Sequence, residues 1–150
     1  MADTIDPDVV VSWLEDDPPA VFDSFERVKD EDSQMNVRVR SGPTAVNVVQ
    51  PAAADHLVLG AELTISGDMF EAIAEQRNRF LGEVGAVLTN SPGTYNVDHE
   101  SDQLSIAFRH WIFADGLTNH RLVDDIIGMM NATRYCMETA KRLQNEPALR

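Results

Sequence analysis

Hydrophobic and polar residues alternate along three stretches of this chain, and strict alternation marks a strand with one buried face. Met35, Val37 and Val39 alternate with Asn36, Arg38 and Arg40. Leu57, Leu59, Ala61, Leu63 and Ile65 form the clearest strand of the first half. The segment Leu104–Phe113 carries Ile106, Phe108 and Ile112 with His110 on one face, and Arg109, Trp111 and Phe113 on the other. Both faces of this last strand are substantially apolar, so either the sheet is covered on both sides or one face meets another subunit. Ser41-Gly42-Pro43 predicts a turn into a further strand around Ala45–Val49, and Pro51 to Asp55 reads as loop. Ser91-Pro92-Gly93 predicts a turn into a hairpin of Tyr95–Asp98 and Leu104–Phe113 around His99–Asp102. Residues 20–29 fit strand or helix. The acidic loop Asp30–Ser33 behind them favours a strand paired with the next one.

Helical spacing fills the remainder. Asp6-Pro7 is a start signal, with Val10, Trp13 and Leu14 on one face and Asp17-Pro18-Pro19 as the stop. Ser66 or Asp68 caps a second helix along Phe70, Ile73, Ala74, Leu81 and Val84, with Arg77 the polar exception. Gly82 and Gly85 loosen its exit before a short apolar piece, Ala86–Leu88. Thr118 caps a long last helix with a stripe of Val123, Ile126, Ile127, Met130, Met137 and Ala140. Asp124 and Asp125 lie early in it and Lys141 and Arg142 late, matching the helix dipole. The order is helix, three or four strands, helix, two or three strands, helix. It predicts one α+β domain over residues 1–150, an antiparallel sheet in meanders in α-β(3)-α-β(2-3)-α order, covered on one face by helices.

That order, with Ile65-Ser-Gly-Asp-Met-Phe-Glu opening the middle helix and Phe113-Ala-Asp-Gly-Leu-Thr opening the last, resembles the type III secretion chaperone-like fold. The chain looks most like the YbjN-like proteins and uncharacterised archaeal domains with that fold. The resemblance implies homodimers that hold protein partners through an exposed sheet or helix surface. It implies no catalytic set, so no functional residue is carried over.

Composition changes the picture in two ways. The 150 residues are 43% hydrophobic, enough for a core that needs no disulfide or metal. The single cysteine, Cys136, cannot form an internal bridge and reads as a small buried hydrophobe. Twenty-five acidic against twelve basic residues give a net charge of −13, which repels phosphate backbones and argues against nucleic acid as a partner. Lysine is nearly absent, at Lys29 and Lys141 only. A distributed acidic surface with few lysines resembles the proteins of salt-in halophiles, especially haloarchaea, where molar salt screens carboxylate repulsion. The opening Met-Ala-Asp-Thr-Ile-Asp is acidic, unlike a secretory leader, and no apolar run approaches the length of a membrane span. A cytoplasmic protein without membrane contact is expected.

The histidines are His56, His99, His110 and His120, without metal-ligand spacing. His99 with Asp98, Glu100 and Asp102 could gather a cation, but a polar hairpin tip is the simpler reading. Ser91-Pro-Gly-Thr94 precedes a strand, whereas a phosphate cradle precedes a helix, and there is no Gly-x-Ser-x-Gly elbow. The best enzyme case is a general base near the last turn, from His110, Asp115 and His120 with Arg109. Against it, Arg109 and His110 point to opposite faces and Asp115-Gly116 is more simply a turn. Arg38 and Arg40 form a local basic strip, which reads as charge-balancing surface or a binding strip. Met129, Met130 and Met137 read as core more readily than as an adaptable peptide surface.

The sequence therefore predicts a non-catalytic protein-binding, chaperone-like or regulatory module. It is expected to be homodimeric, with an unidentified protein partner and without cofactor, metal, nucleic acid or membrane. A small enzyme around His110, Asp115 and His120, and a subunit of a larger assembly, are the alternatives.

Overall fold

The computed structural model describes residues 5–16, 22–29, 31–52 and 55–146. Asp6-Pro7 opens α1 (Pro7–Asp16), with the Asp6 carboxylate accepting from the Asp8 amide at 3.0 Å. Val10, Val11 and Leu14 are buried and Trp13 partly so; the stop at Asp17-Pro18-Pro19 lies outside the described residues. The strands β1 (Ser24–Arg27), β2 (Ser33–Ser41), β3 (Thr44–Pro51) and β4 (His56–Ser66) follow. The ambiguous segment 20–29 thus supplies a strand, with Phe25 opposite Val39.

The middle helix departs from expectation. It is two helices, α2 (Gly67–Glu75) and α3 (Arg77–Asn90), because Gln76 takes a non-helical φ of −123°. Gly82 and Gly85 do not end α3, which runs through both and absorbs Ala86–Leu88. Its buried residues are Phe80, Val84 and Leu88; Leu81 is only partly buried. The chain continues through β5 (Thr94–His99), β6 (Gln103–Phe113), one 3-10 turn (Ala114–Gly116) and α4 (Asn119–Asn145). The Thr118 hydroxyl caps α4, accepting from the Arg121 amide at 3.1 Å.

The sheet is six-stranded and antiparallel, in the order β1-β2-β3-β4-β6-β5. The first four strands form the expected meander. β6 then lies against β4 over eleven residue pairs, while β5 takes the outer edge. The composition explains the exchange, since β6 is the strongly apolar strand and β5 is mostly exposed, as an edge should be.

One face holds the core. Val37, Val39, Val46, Val48, Leu57, Leu59 and Ile65 are buried there with Leu104, Ile106, Phe108 and Ile112. α4 lies across β3 and β4 on this face, α2 packs on β4 and β6, α1 on β2, and α3 packs on α4. Because α4 touches both the sheet and α3, its buried side is wider than the expected stripe. Leu122, Met129, Cys136 and Leu143 are fully buried, whereas Ile127 and Met137 are only partly covered. Cys136 is the small buried hydrophobe expected, and burial pushes its thiol pKa up to about 11.

A clamp of ion pairs closes the outer end of α3 against α4. Arg79 reaches Glu83 at 3.4 Å and Glu146 at 2.7 Å, and Arg142 reaches Glu146 at 3.2 Å and also pairs with Glu83. Hydrogen bonds from Arg79 and then Arg142 hold the Glu146 carboxyl below its ordinary pKa. A carboxylate whose folded pKa is depressed stabilises the fold above its unfolded pKa and loses that contribution as pH falls through the folded value. The Glu146→Gln variant is therefore expected to be less stable than the parent at neutral pH, the gap closing in acid below the glutamate range. Urea midpoints of both proteins across that range check this; a gap independent of pH would refute it.

Candidate functional site

The chemistry-bearing residues fall on three places: the joint of β6 with α4, the uncovered face of the sheet, and a cleft where the sheet divides. At the joint, alternation along β6 turns His110 towards the helices, between Phe108 and Ile112. Its Nε2 lies 2.8 Å from Asp125 Oδ2, and Arg121 Nε approaches the same oxygen at 3.7 Å. Arg121 also donates to the Gly116 carbonyl at 3.2 Å. Asp125 thus ties the strand, the turn and the first turns of α4 together. His120 goes elsewhere, to Asp124 at 3.1 Å on the outside of α4, where its side chain is 89% exposed. Asp115 makes no ion pair with either histidine among the described residues. His110, Asp115 and His120 are not gathered, and Arg109 lies on the opposite face of the sheet from His110. Asp125 is the partner the sequence reading missed. The available signal was His110 itself, a polar ring on a core-facing register that burial obliges to find a partner.

His99 closes β5 opposite Leu104. Among the described residues no group of three or more His, Cys, Asp or Glu is placed to hold a metal ion. No helix among them is long and apolar enough to cross a membrane.

Among the described residues, no helix lies on the other face of the sheet. Trp111 and Phe113 project from β6 there, each 53% exposed, in the register their spacing of two predicts. Trp111 stands opposite Val58, and Val58 opposite Val49, so an apolar row crosses three strands. Phe113 stands opposite His56, the two rings 5.5 Å apart. The next row along the strands is polar: Glu26, Arg38, Asn47, Gly60, Arg109 and Thr94 in turn. Arg38 donates to Asn47 Oδ1 at 3.0 Å, and Gly60 leaves a side-chain gap beside Arg109. Arg38 therefore sits on this face in line with Arg109, while Arg40, two residues on, reaches the cleft where the sheet divides.

The cleft has a different origin. β2 and β3 pair from Ser33↔Pro51 to Ser41↔Thr44, and β4 and β6 over their whole length. Among the described residues β3 and β4 share three pairs, ending at Asn47↔Gly60. Beyond that pair the tip of the β2–β3 hairpin leaves β4, and the gap opens over α4. It encloses about 370 Å³ between Arg40, Pro43, Thr44 and Ala45 on one wall and Glu62 and Leu63 on the other, with α4 as its floor. That size lies within the range of small-molecule sites. Thr44 and Thr133 hydroxyls are occupied by the Ser41 and Met129 carbonyls, at 2.8 Å and 2.9 Å. The polar side chains left for a ligand are thus the charged ones. Sequence reading did not find this site, because its walls come from four elements and its existence depends on where one ladder stops.

Comparison with known proteins agrees with the architecture. A crystal structure of an uncharacterized protein from Methanothermobacter thermautotrophicus superposes with a TM-score of 0.74 at 22% identity, covering 90% of this chain and 96% of the other. YbjN from E. coli superposes more loosely, with a TM-score of 0.45 at 9% identity over 96% of this chain and 92% of the other. No curated protein matches the chain. Residues 8–140 match the family model of an uncharacterized conserved protein, DUF2299, and the chain belongs to that family.

Proposed function

We propose that this protein is a non-catalytic binding module, chaperone-like or regulatory, that works as a homodimer with the uncovered sheet faces of two copies packed together. The observation that carries this reading is the half-exposed pair Trp111 and Phe113, beside an apolar row on a face that none of the described helices covers. Charge supports the choice of occupant. The chain carries −13 overall, so most of its surfaces repel a second copy. The open face is an exception, since Arg38 and Arg109 stand there with Glu26 and Asp98. A neutral face with an apolar row is self-complementary in a two-fold arrangement, where each residue meets the surface that holds its own copy. Its acidic, lysine-poor composition supports a cytoplasmic setting of high salt, in which the remaining repulsion is screened. The unidentified protein partner of such a module would then be held by surfaces outside the paired sheets.

Sedimentation equilibrium in molar KCl tests the proposal. The wild-type chain is expected to be a dimer, and Trp111→Glu to weaken association about a hundredfold, as loss of a central aromatic anchor does. Far-UV circular dichroism of the variant should be unchanged, because Trp111 lies outside the core. A monomeric wild type, or a dimer indifferent to Trp111→Glu, would overturn the reading. A stoichiometric complex of the monomer with a different chain through Trp111 would replace it with the larger-assembly reading.

A further inference from the structure

We infer that the cleft between the parted strands β3 and β4 is a binding site for a small aliphatic amino acid in its zwitterionic form. This goes beyond the dimer proposal and does not rest on it. Glu62 lies four residues along β4 from Val58, so the cleft opens about 13 Å from the Trp111 row.

Three observations converge there. The first is charge of one sign: Arg40, Arg134 and Lys141 line the cleft, three of the twelve basic residues of a chain of net charge −13. The second is charge of the other sign: Glu62 and Glu138 line the same space. Among the described residues, none of these five side chains lies within ion-pair distance of an opposite charge, although Arg27, Arg79, Arg121 and Arg142 all do. Opposite charges line one cleft and here stand apart from each other. The third is the apolar lining: Leu63 is buried in one wall and Met137 is half-buried in the floor. A simple anion would satisfy the cations and face the two carboxylates; a simple cation would do the reverse. An amino acid satisfies both, its carboxylate towards Arg40, Arg134 and Lys141 and its ammonium towards Glu62 and Glu138. Its aliphatic side chain would lie against Leu63 and Met137. The parted strands supply the remaining requirement: among the described residues Ala45 pairs with β2 alone and Glu62 with β6 alone, so both strand edges face the cleft.

Isothermal titration of the full chain with leucine, isoleucine, valine and methionine tests this. Two truncated probes accompany them: 4-methylpentanoate, which lacks the ammonium, and isopentylamine, which lacks the carboxylate. At least one of the four amino acids should bind saturably with one site per chain, and both truncated probes at least tenfold more weakly. Arg134→Gln should weaken the amino acid and the carboxylate probe while leaving the amine unchanged; Glu62→Gln should weaken the amino acid and the amine probe. Both substituted side chains reach solvent, and circular dichroism verifies that the variants fold. Absence of saturable binding by all four amino acids would overturn the inference. So would binding indifferent to both variants, or 4-methylpentanoate binding as tightly as the amino acids. Because Trp111→Glu leaves the cleft intact, binding measured in that background separates failure of this site from failure of the dimer.

Discussion

Gly93→Ala is expected to destabilise the protein by about 3 kcal/mol or more, the cost of a strained backbone plus a steric clash. Gly93 has φ +77°, a conformation that a side chain rarely tolerates. A Cβ added there would collide with the Arg109 carbonyl oxygen and lie 2.7 Å from His110 Cα. Neither neighbour can give way cheaply, since both are backbone atoms of β6, which is paired on both sides. The next residue, Thr94, is the first to pair with β6, opposite Arg109. The turn Ser91–Gly93 therefore has to bring the chain from α3 almost into contact with β6 before β5 can start. Moving β6 to accommodate a methyl group would also disturb His110 and its bond to Asp125. Gly67 is the control, because it too has positive φ, at +62°, but meets nothing within 4 Å. Its alanine variant should lose only about 1–2 kcal/mol, from conformation alone. Urea unfolding of both variants measures the difference, and equal losses would show that the close approach of Gly93 to β6 contributes nothing.

How far the sequence revealed this architecture depends on the range over which each feature is determined. Strand periodicity is local, so β2, β4 and β6 were legible from alternation, and the outward Arg109, Trp111 and Phe113 followed from spacing alone. The turns at Gly42 and Gly93 were legible for the same reason, since glycine beside proline marks a reversal. The position of β6 between β4 and β5 was not, because strand order is settled by which strand has most apolar surface to bury. The amphoteric cleft was still less accessible. Arg40 could be seen as part of a basic strip, but nothing near it announces that Arg134, Glu138 and Lys141 share its surroundings. Their convergence requires the β3–β4 ladder to end at Asn47↔Gly60 and α4 to pass beneath. His110 illustrates the intermediate case. Its facing was readable, while its partner Asp125, fifteen residues away across a turn and the start of a helix, was not.

The middle helical region turns the same distinction into a measurement. Drawn as one continuous helix, the stripe Ile73, Arg77, Leu81 and Val84 makes Leu81 the core residue and Arg77 an anomaly. The break at Gln76 removes the anomaly: Arg77 becomes the exposed first residue of α3, and the buried set becomes Phe80, Val84 and Leu88, each four residues apart. Phe80 is then 0% exposed, among the largest fully buried side chains, and its amide is held by the Gln76 carbonyl at 2.9 Å. Gln76 itself is fixed by its side chain, which donates to the Leu143 carbonyl at 3.2 Å on α4. Truncating Phe80 removes a whole ring from the α3–α4 contact and leaves a cavity, so Phe80→Ala should cost about 3–5 kcal/mol. Leu81→Ala, on the partly covered side of the helix, should cost about 1 kcal/mol. A continuous helix with Leu81 inward requires the opposite ranking. The two unfolding midpoints therefore decide between the registers, and a Leu81→Ala loss exceeding that of Phe80→Ala would mean that α3 presents a different face to α4.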